Sequence, residues 1–226
     1  GRTIVWALRY KIGDMHGVDV NGTYIDAARH YAKIKGVPAM FHQSDGKNLP
    51  FDDETFDAIL TFDVFEHVAD IAQSLRECRR CLKPGGKLCA VFPGFYHPVG
   101  AHLTSVTQIP CIQYFFSGED IIEAYNQIVK ERGDKASWYA RPEPGLRSWE
   151  KGHNVNGLTK QKFFKLVQQC GFRVYSQNHI PLFSTGRLQS RYPSLRIAGK
   201  ILAPLARIPY LDEIFNHRIV AMLEKV

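Results

Sequence analysis

The chain has 226 residues, 45% of them apolar and 23% charged, and a formal net charge of +7. That is the composition of one generous globular domain, or of one domain with a large insertion, and it excludes disordered, collagen-like and coiled-coil chains. No stretch reaches the roughly 20 uncharged apolar residues of a spanning helix. The opening Gly1-Arg2-Thr3-Ile4-Val5-Trp6 is no secretory leader, and five thinly spread cysteines form no disulfide framework, so a reducing cytoplasm is the expected compartment.

Strand-like and helix-like segments alternate through the first half. Gly17-Val18-Asp19-Val20 is a short strand with an acid near its end. Ile25, Ala28 and Ala32 mark one face of a helix over 24–35, stopped by Gly36 and Pro38. Residues 39–44 read as a strand that runs into Asp45. The continuous apolar run 58–62 predicts a strand covered on both faces. Asp70 can cap a helix carrying Ile71, Leu75, Cys78 and Leu82, which Lys83-Pro84-Gly85-Gly86 breaks before a strand over 87–92. From about Pro93 to His153 the rhythm is interrupted. Ser117 and Asp120 form a capping-box pattern before Ile121, Ile122, Tyr125, Ile128 and Val129, and the segment 95–153 reads as an inserted lid, too short to bury its own core as a separate domain. Thr159 then caps a helix closed by Gly171. A strand follows at 172–176, a basic apolar stretch at 195–208, and a closing strand at 218–223. Such alternation implies a doubly wound, Rossmann-like α/β sheet.

Ligands of such sheets sit outside the carboxyl ends of the strands. A carboxylate at Asp19 can accept both hydroxyls of a ribose. Asp45 can accept from the exocyclic amine of adenine, with the backbone N–H beside it, at Gly46, reaching a ring nitrogen. Two acids at successive strand ends suit an adenosine and repel a pyrophosphate. Taken singly, either acid can simply cap a turn.

These residues carry a resemblance. Gly17-Val18-Asp19-Val20-Asn21, Ser44-Asp45-Gly46-Lys47-Asn48-Leu49-Pro50-Phe51, Phe56-Asp57-Ala58-Ile59-Leu60, Phe65-Glu66-His67-Val68 and Leu82-Lys83-Pro84-Gly85-Gly86-Lys87 resemble the successive motifs of class I S-adenosylmethionine-dependent methyltransferases. More narrowly they are similar to the small-molecule branch that includes ubiquinone and menaquinone methyltransferases. The likeness covers about 1–95 and 157–226. It implies a mostly parallel sheet with an antiparallel last strand, and the lid following the family's fifth strand. It implies S-adenosylmethionine as cofactor and S-adenosylhomocysteine as product. Val20 would pack on the adenine; Thr61, Phe62 and Asp63 would line the methionine part; His67 would sit behind them at the start of the next helix. One departure stands out. Of the family's first strand and Gly-x-Gly-x-Gly loop, only Gly1 has a counterpart here, as the last glycine of that loop, so a further strand at the sheet centre is expected upstream.

The cofactor's methyl is already activated, so the protein mainly supplies alignment, an effect worth ~7–11 kcal/mol. A hydroxyl acceptor gains from a general base. His97 and His102 lie in the lid after a strand end and are the candidates, although a lone histidine is more often structural. With Glu119 the two could also hold a metal, but no cluster of hard ligands accompanies them and no metal is expected. Most lid aromatics (Phe95, Tyr96, Tyr114, Phe115, Phe116, Tyr125, Trp138, Tyr139, Trp149) would build the lid's own small core, and the remainder suits a ring-containing acceptor. Cys78 and Cys81, three apart on one helix without a second pair, are a weak zinc signal. Residues 187–226 carry seven lysines and arginines against three acids. They form no dense run and no nucleic-acid module, so no nucleic-acid partner is expected. The stripe Arg196, Lys200 and Arg207 reads first as a solvated face and second as a peripheral contact with anionic lipid.

The expected function is therefore methyl transfer to an oxygen or nitrogen of a small or medium-sized metabolite. The alternatives are a nicotinamide-dependent oxidoreductase, in which Asp45 has no task, and a non-catalytic binding module. The acceptor and the oligomeric state are not legible in the sequence.

Overall fold

Helices start and stop where side chains or glycines satisfy their end groups. The computed structural model describes residues 2–10, 12–98, 102–103, 106–107, 109, 111–135, 142, 144–147, 149, 155–184, 194–209 and 211–226. Helix α1 (Arg2–Tyr10) precedes strand β1 (Met15–Asp19). The Asn21 side chain accepts from Thr23 N at 3.0 Å and opens α2 (Gly22–Lys35), which Gly36 ends at φ +62°. Strands β2 (Ala39–Gln43) and β3 (Phe56–Phe62) follow. Asp70 accepts from Gln73 N at 2.9 Å at the head of α3 (Ile71–Cys81), and β4 (Leu82–Phe92) comes next. Both halves of the Ser117–Asp120 capping box are present at α4 (Gly118–Arg132). Thr159 caps α5 (Lys160–Gln169), and Gly171, at φ +75°, leads into β5 (Phe172–Pro181). Two short helices, α6 (Leu195–Leu202) and α7 (Asp212–Phe215), come before β6 (Asn216–Lys225). Among the described residues no helix is long and apolar enough to cross a membrane.

Strands β1 and β2 pair in parallel, as do β3 and β4; β6 runs antiparallel between β4 and β5, giving the order β3-β4-β6-β5. This is the α/β architecture expected, mostly parallel with an antiparallel last strand. The exposure of β3 departs from the expectation. Among the described residues β1 and β3 share no ladder, so β3 is an edge strand. Ala58 is exposed and Leu60 is 49% exposed, where cover on both faces was predicted. The Lys83–Gly86 break survives as an interruption of register: Phe56 pairs with Leu82, and the next pair is Ala58 with Lys87.

Three buried clusters divide the interior. The main one lies between the four-stranded sheet and helices α3 and α5, with Leu75, Cys78, Leu88, Phe92, Val167 and Ile219. A second packs α1 and α2 against β1 and β2 through Ile4, Ala7, Ile25, Ala32 and Phe41. The third gathers Phe95, Ile121, Ile122, Tyr125, Val129, Trp149 and Val155, so the stretch between β4 and α5 contributes a small apolar cluster. Cys78 and Cys81 are both buried, and burial pushes the Cys78 thiol up to about 12, which makes them core residues.

Phe163 is fully buried, with its ring 4.6 Å from that of Phe92 and 5.4 Å from that of Phe65. Replacing it with Ala is expected to cost about 3–5 kcal/mol. Urea unfolding checks this, through a lowered midpoint at unchanged slope.

Candidate active site

The two predicted strand-end acids share one edge of the small sheet. Asp19 stands opposite Gln43 at the ends of β1 and β2, and Ser44 N donates to Asp19 O at 3.0 Å. Asp19 Oδ1 accepts from Asn21 N at 2.8 Å; its carboxylate is exposed, and no cation pairs with it among the described residues. Val20 beside it is 65% exposed, an apolar surface on which a ring plane can rest. Asp45 is more engaged than its position alone suggested. Lys47 N donates to its Oδ1 at 3.0 Å and Lys47 Nζ lies 3.1 Å from Oδ2; these contacts, the backbone one first, hold its carboxyl below the usual range. Gly46 has φ +79°, which only glycine adopts freely, and its N–H is directed at Ser44 Oγ, 3.2 Å away.

The end of β3 forms a second group. The Thr61 hydroxyl is buried without a hydrogen-bond partner among the described residues. The Arg2 guanidinium lies 4.1 Å over the Phe62 ring and donates to the Phe62 carbonyl at 3.2 Å. Asp63 takes φ +55°, and its carboxylate stands between Arg2 at 3.4 Å and Arg218 at 3.2 Å. Neither arginine was singled out from the sequence. They lie 61 and 155 residues from Asp63, and no local pattern links them. Glu66 was also passed over. It is 4% exposed, neither carboxylate oxygen has a hydrogen-bond partner among the described residues, and burial, reinforced by the Asp63 charge, pushes its pKa up to about 8. His67 lies in the turn after β3 and not in the first turn of α3, because the helix begins only at the Asp70 cap.

The two lid histidines part company. His97 is 2% exposed and edge-on to His217 at 5.3 Å; burial, then the charges of His217 and Arg218, bring its pKa down to about 3. His102 takes φ +53° and stacks on His67, with 4.8 Å between ring centroids and 18° between planes. Glu66, His67 and His102 each offer a ligand atom, and these atoms lie within 4.8 Å of one another. Glu119, the acid that the sequence set beside the histidines, is exposed in the first turn of α4 and outside that group. Gly1 lies outside the described residues. Two cavities, of about 520 and 480 Å³, are found elsewhere, one against His16, His42 and Phe51 and one against Lys160, His179 and Asp212.

An open α/β sheet takes its ligands outside the carboxyl ends of its strands, which is where these two acids lie. Residues 1–90 match the model of a methyltransferase domain family. Over a longer span the chain is similar to class I S-adenosylmethionine-dependent methyltransferases, those of ubiquinone and menaquinone biosynthesis among them. It is 30% identical over 130 residues to a ubiquinone/menaquinone biosynthesis C-methyltransferase of Idiomarina loihiensis, covering 57% of this chain and 48% of that one. It is 35% identical over 173 residues to a 2-phytyl-1,4-naphtoquinone methyltransferase of Nostoc punctiforme, covering 75% and 65%. The chain thus spans less than two thirds of either relative. Among solved structures, a SAM-dependent methyltransferase of Methanosarcina mazei superposes with a TM-score of 0.55 at 19% identity, covering 98% of this chain and 86% of that one, and so shares the fold.

Burial of neutral His97 has a pH signature. The unfolded residue takes a proton near 6.5 but the folded one only near 3, so the unfolded state binds the extra proton in between. Stability is expected to fall as pH drops from 6.5 toward 3, by up to ~1.4 kcal/mol per pH unit from this group. His97→Asn should flatten that slope, as read from urea midpoints at neutral pH and at pH 5.

Proposed function

We propose that the chain transfers a methyl group from S-adenosylmethionine to a hydroxyl of a small, quinone-related molecule by in-line displacement. The observation that carries this is the exposed Asp19 carboxylate, without a cation among the described residues, on the same sheet edge as Asp45 and Gly46. In this reading Asp19 accepts the ribose hydroxyls, Val20 lies against the adenine and Asp45 accepts its amine. The amine would displace or share Lys47 Nζ, an exposed pairing worth only ~0–1 kcal/mol. The Thr61 hydroxyl, buried without a hydrogen-bond partner among the described residues, and Phe62 face the methionine part in this reading. Asp63 is already held by two arginines, which suits a part in shaping the pocket wall more than direct contact with the cofactor. On the acceptor side His102, grouped with residues after β3, is better placed than buried His97. Tyr96, Phe115 and Phe116 are exposed on the insert and suit a ring-containing acceptor.

The facing open edges of β1 and β3 also fit this reading, because the expected central strand would lie between them. Intact-mass measurement on the protein from its source tests that strand, and a mass ending at Gly1 overturns it. The names of the relatives support the quinone-related acceptor. Exposed Ile197 and Ile201 on α6, beside Arg196 and Lys200, suit peripheral contact with an anionic membrane where such acceptors reside. Co-sedimentation with anionic but not neutral vesicles is the expected result.

Calorimetry with S-adenosylhomocysteine tests the central claim. Asp19→Ala removes hydrogen bonds to a charged acceptor worth ~1.5–3 kcal/mol each, so affinity should fall at least about tenfold. Unchanged affinity would remove the ribose assignment, and tight binding of a nicotinamide cofactor instead would favour an oxidoreductase.

A further inference from the structure

We propose that Glu66, His67 and His102 form a binding site for one divalent transition-metal ion, of the Mn²⁺, Co²⁺ or Zn²⁺ kind, at the junction of the β3 end and the inserted segment. Their ligand atoms lie within 4.8 Å of one another. Bonds of about 2.0–2.2 Å to one ion place ligand atoms roughly 3–4 Å apart, so a closure of about 1 Å assembles the site. The His67 and His102 rings already lie nearly parallel, 4.8 Å apart.

Glu66 supplies the independent sign of a missing partner. Its side chain is 5% exposed, yet both oxygens lack a hydrogen bond among the described residues, and the nearest basic nitrogen on it is His67 Nε2 at 3.9 Å. Buried carboxylates are normally hydrogen-bonded, paired or bound to metal. The backbone around it is fixed. Asn156 Nδ2 donates to the carbonyls of Phe65 and Val68, each at 2.7 Å, and Asn156 N donates to the Glu66 carbonyl at 3.0 Å. That clamp holds the turn that presents two of the ligands, the part that outer groups play around metal centres. His102 reaches the same point from the insert with a left-handed backbone, a conformation that concentrates at functional sites. Two imidazoles and one carboxylate favour a borderline ion over Mg²⁺ or Ca²⁺, and three protein ligands leave positions open for water or substrate.

The consequence for chemistry rests on the methyltransferase reading above. The ion would bind the acceptor through a phenolic or enolic hydroxyl and make that hydroxyl more acidic. Its proton passes to water, the oxygen forms the new bond to the methyl carbon, and the carbon–sulfur electron pair returns to sulfur as S-adenosylhomocysteine leaves. His102 then acts as a ligand and not as the proton acceptor.

The test uses the whole chain, tag removed and treated with EDTA, titrated with Co²⁺ and followed by visible absorption, with Mn²⁺ followed by electron paramagnetic resonance. One equivalent of bound ion is expected. Glu66→Gln and His102→Ala should each weaken binding roughly 10- to 100-fold, while Glu119→Gln leaves it unchanged; circular dichroism confirms that the variants fold. No binding by the unaltered chain, or equal binding by both ligand variants, overturns the site. S-adenosylhomocysteine calorimetry on the same samples separates the two claims. Metal binding without nucleoside binding keeps the site and removes the methyl-transfer role, and the reverse removes the site alone.

Discussion

Ladder hydrogen bonds stop between β1 and β3 among the described residues, so side chains alone set the half-sheet carrying Asp19 and Asp45 against the half carrying residues 61–67. Two groups of contacts join the strands directly, and Gln73, Glu77 and Arg80 on α3 hold the 47–51 segment as well. His16 and His42 meet Phe51 and Phe56 with ring centroids between 4.8 and 5.4 Å apart. At the strand ends, Arg2 reaches from α1 onto Phe62 and Asp63. An exposed ion pair contributes ~0.2–1 kcal/mol, whereas ring contacts contribute ~0.5–1.5 kcal/mol each beyond the area they bury. The ring cluster therefore carries more of the joint, and Arg2 sets its angle at the end where chemistry would occur. On the proposed reading, the distance between nucleoside and acceptor depends on both.

The acids of this edge divide by what already holds them. Asp63 has two arginines, one on α1 and one on β6, and acts as a tie between elements remote in the chain. Asp45 has one exposed lysine, which a ligand amine can displace at small cost. Asp19 has only a turn N–H among the described residues, which leaves its carboxylate open to neutral hydroxyls. Glu66 has neither cation nor hydrogen-bond donor on its oxygens at bonding distance among the described residues. A graded set of this kind separates structural from ligand-facing carboxylates better than position along the chain does.

Much of the framework was legible because its signals are local. Asp70, Ser117 with Asp120, Thr159 and Gly171 each act within a few residues of themselves, and each stands at the helix end expected of it. The Asp19 and Asp45 strand ends were legible for the same reason. What escaped was non-local. Arg2 and Arg218 meet at Asp63, Asn156 clamps a turn some 90 residues earlier, and His102 joins His67 and Glu66 in a group without Glu119. Exposure of β3 was missed because a continuous apolar run signals burial only when a neighbouring strand exists to cover the edge. A cue for Glu66 did exist in the acid-histidine step Glu66-His67 directly after a strand, but a single acid next to a histidine has many bland explanations.

The corner around Glu66 is where these non-local contacts converge. Asp63 and His102, on either side of it, both adopt left-handed backbone conformations, which non-glycine residues hold at a cost of order 1–3 kcal/mol when their surroundings impose them. The surroundings are identifiable: two arginines on Asp63, the Asn156 clamp on residues 65–68, and the His67 ring against His102. A purely structural corner would gain by relaxing these residues and by giving Glu66 a donor, or by placing an apolar side chain there, since an apolar replacement of an unsatisfied buried polar group is neutral or stabilising. An acid with two adjacent imidazoles, held by contacts from elements remote in the chain, instead has the form of a site that is completed when something binds. Whatever the acceptor, ligand binding at this corner would tie His102 to the end of β3.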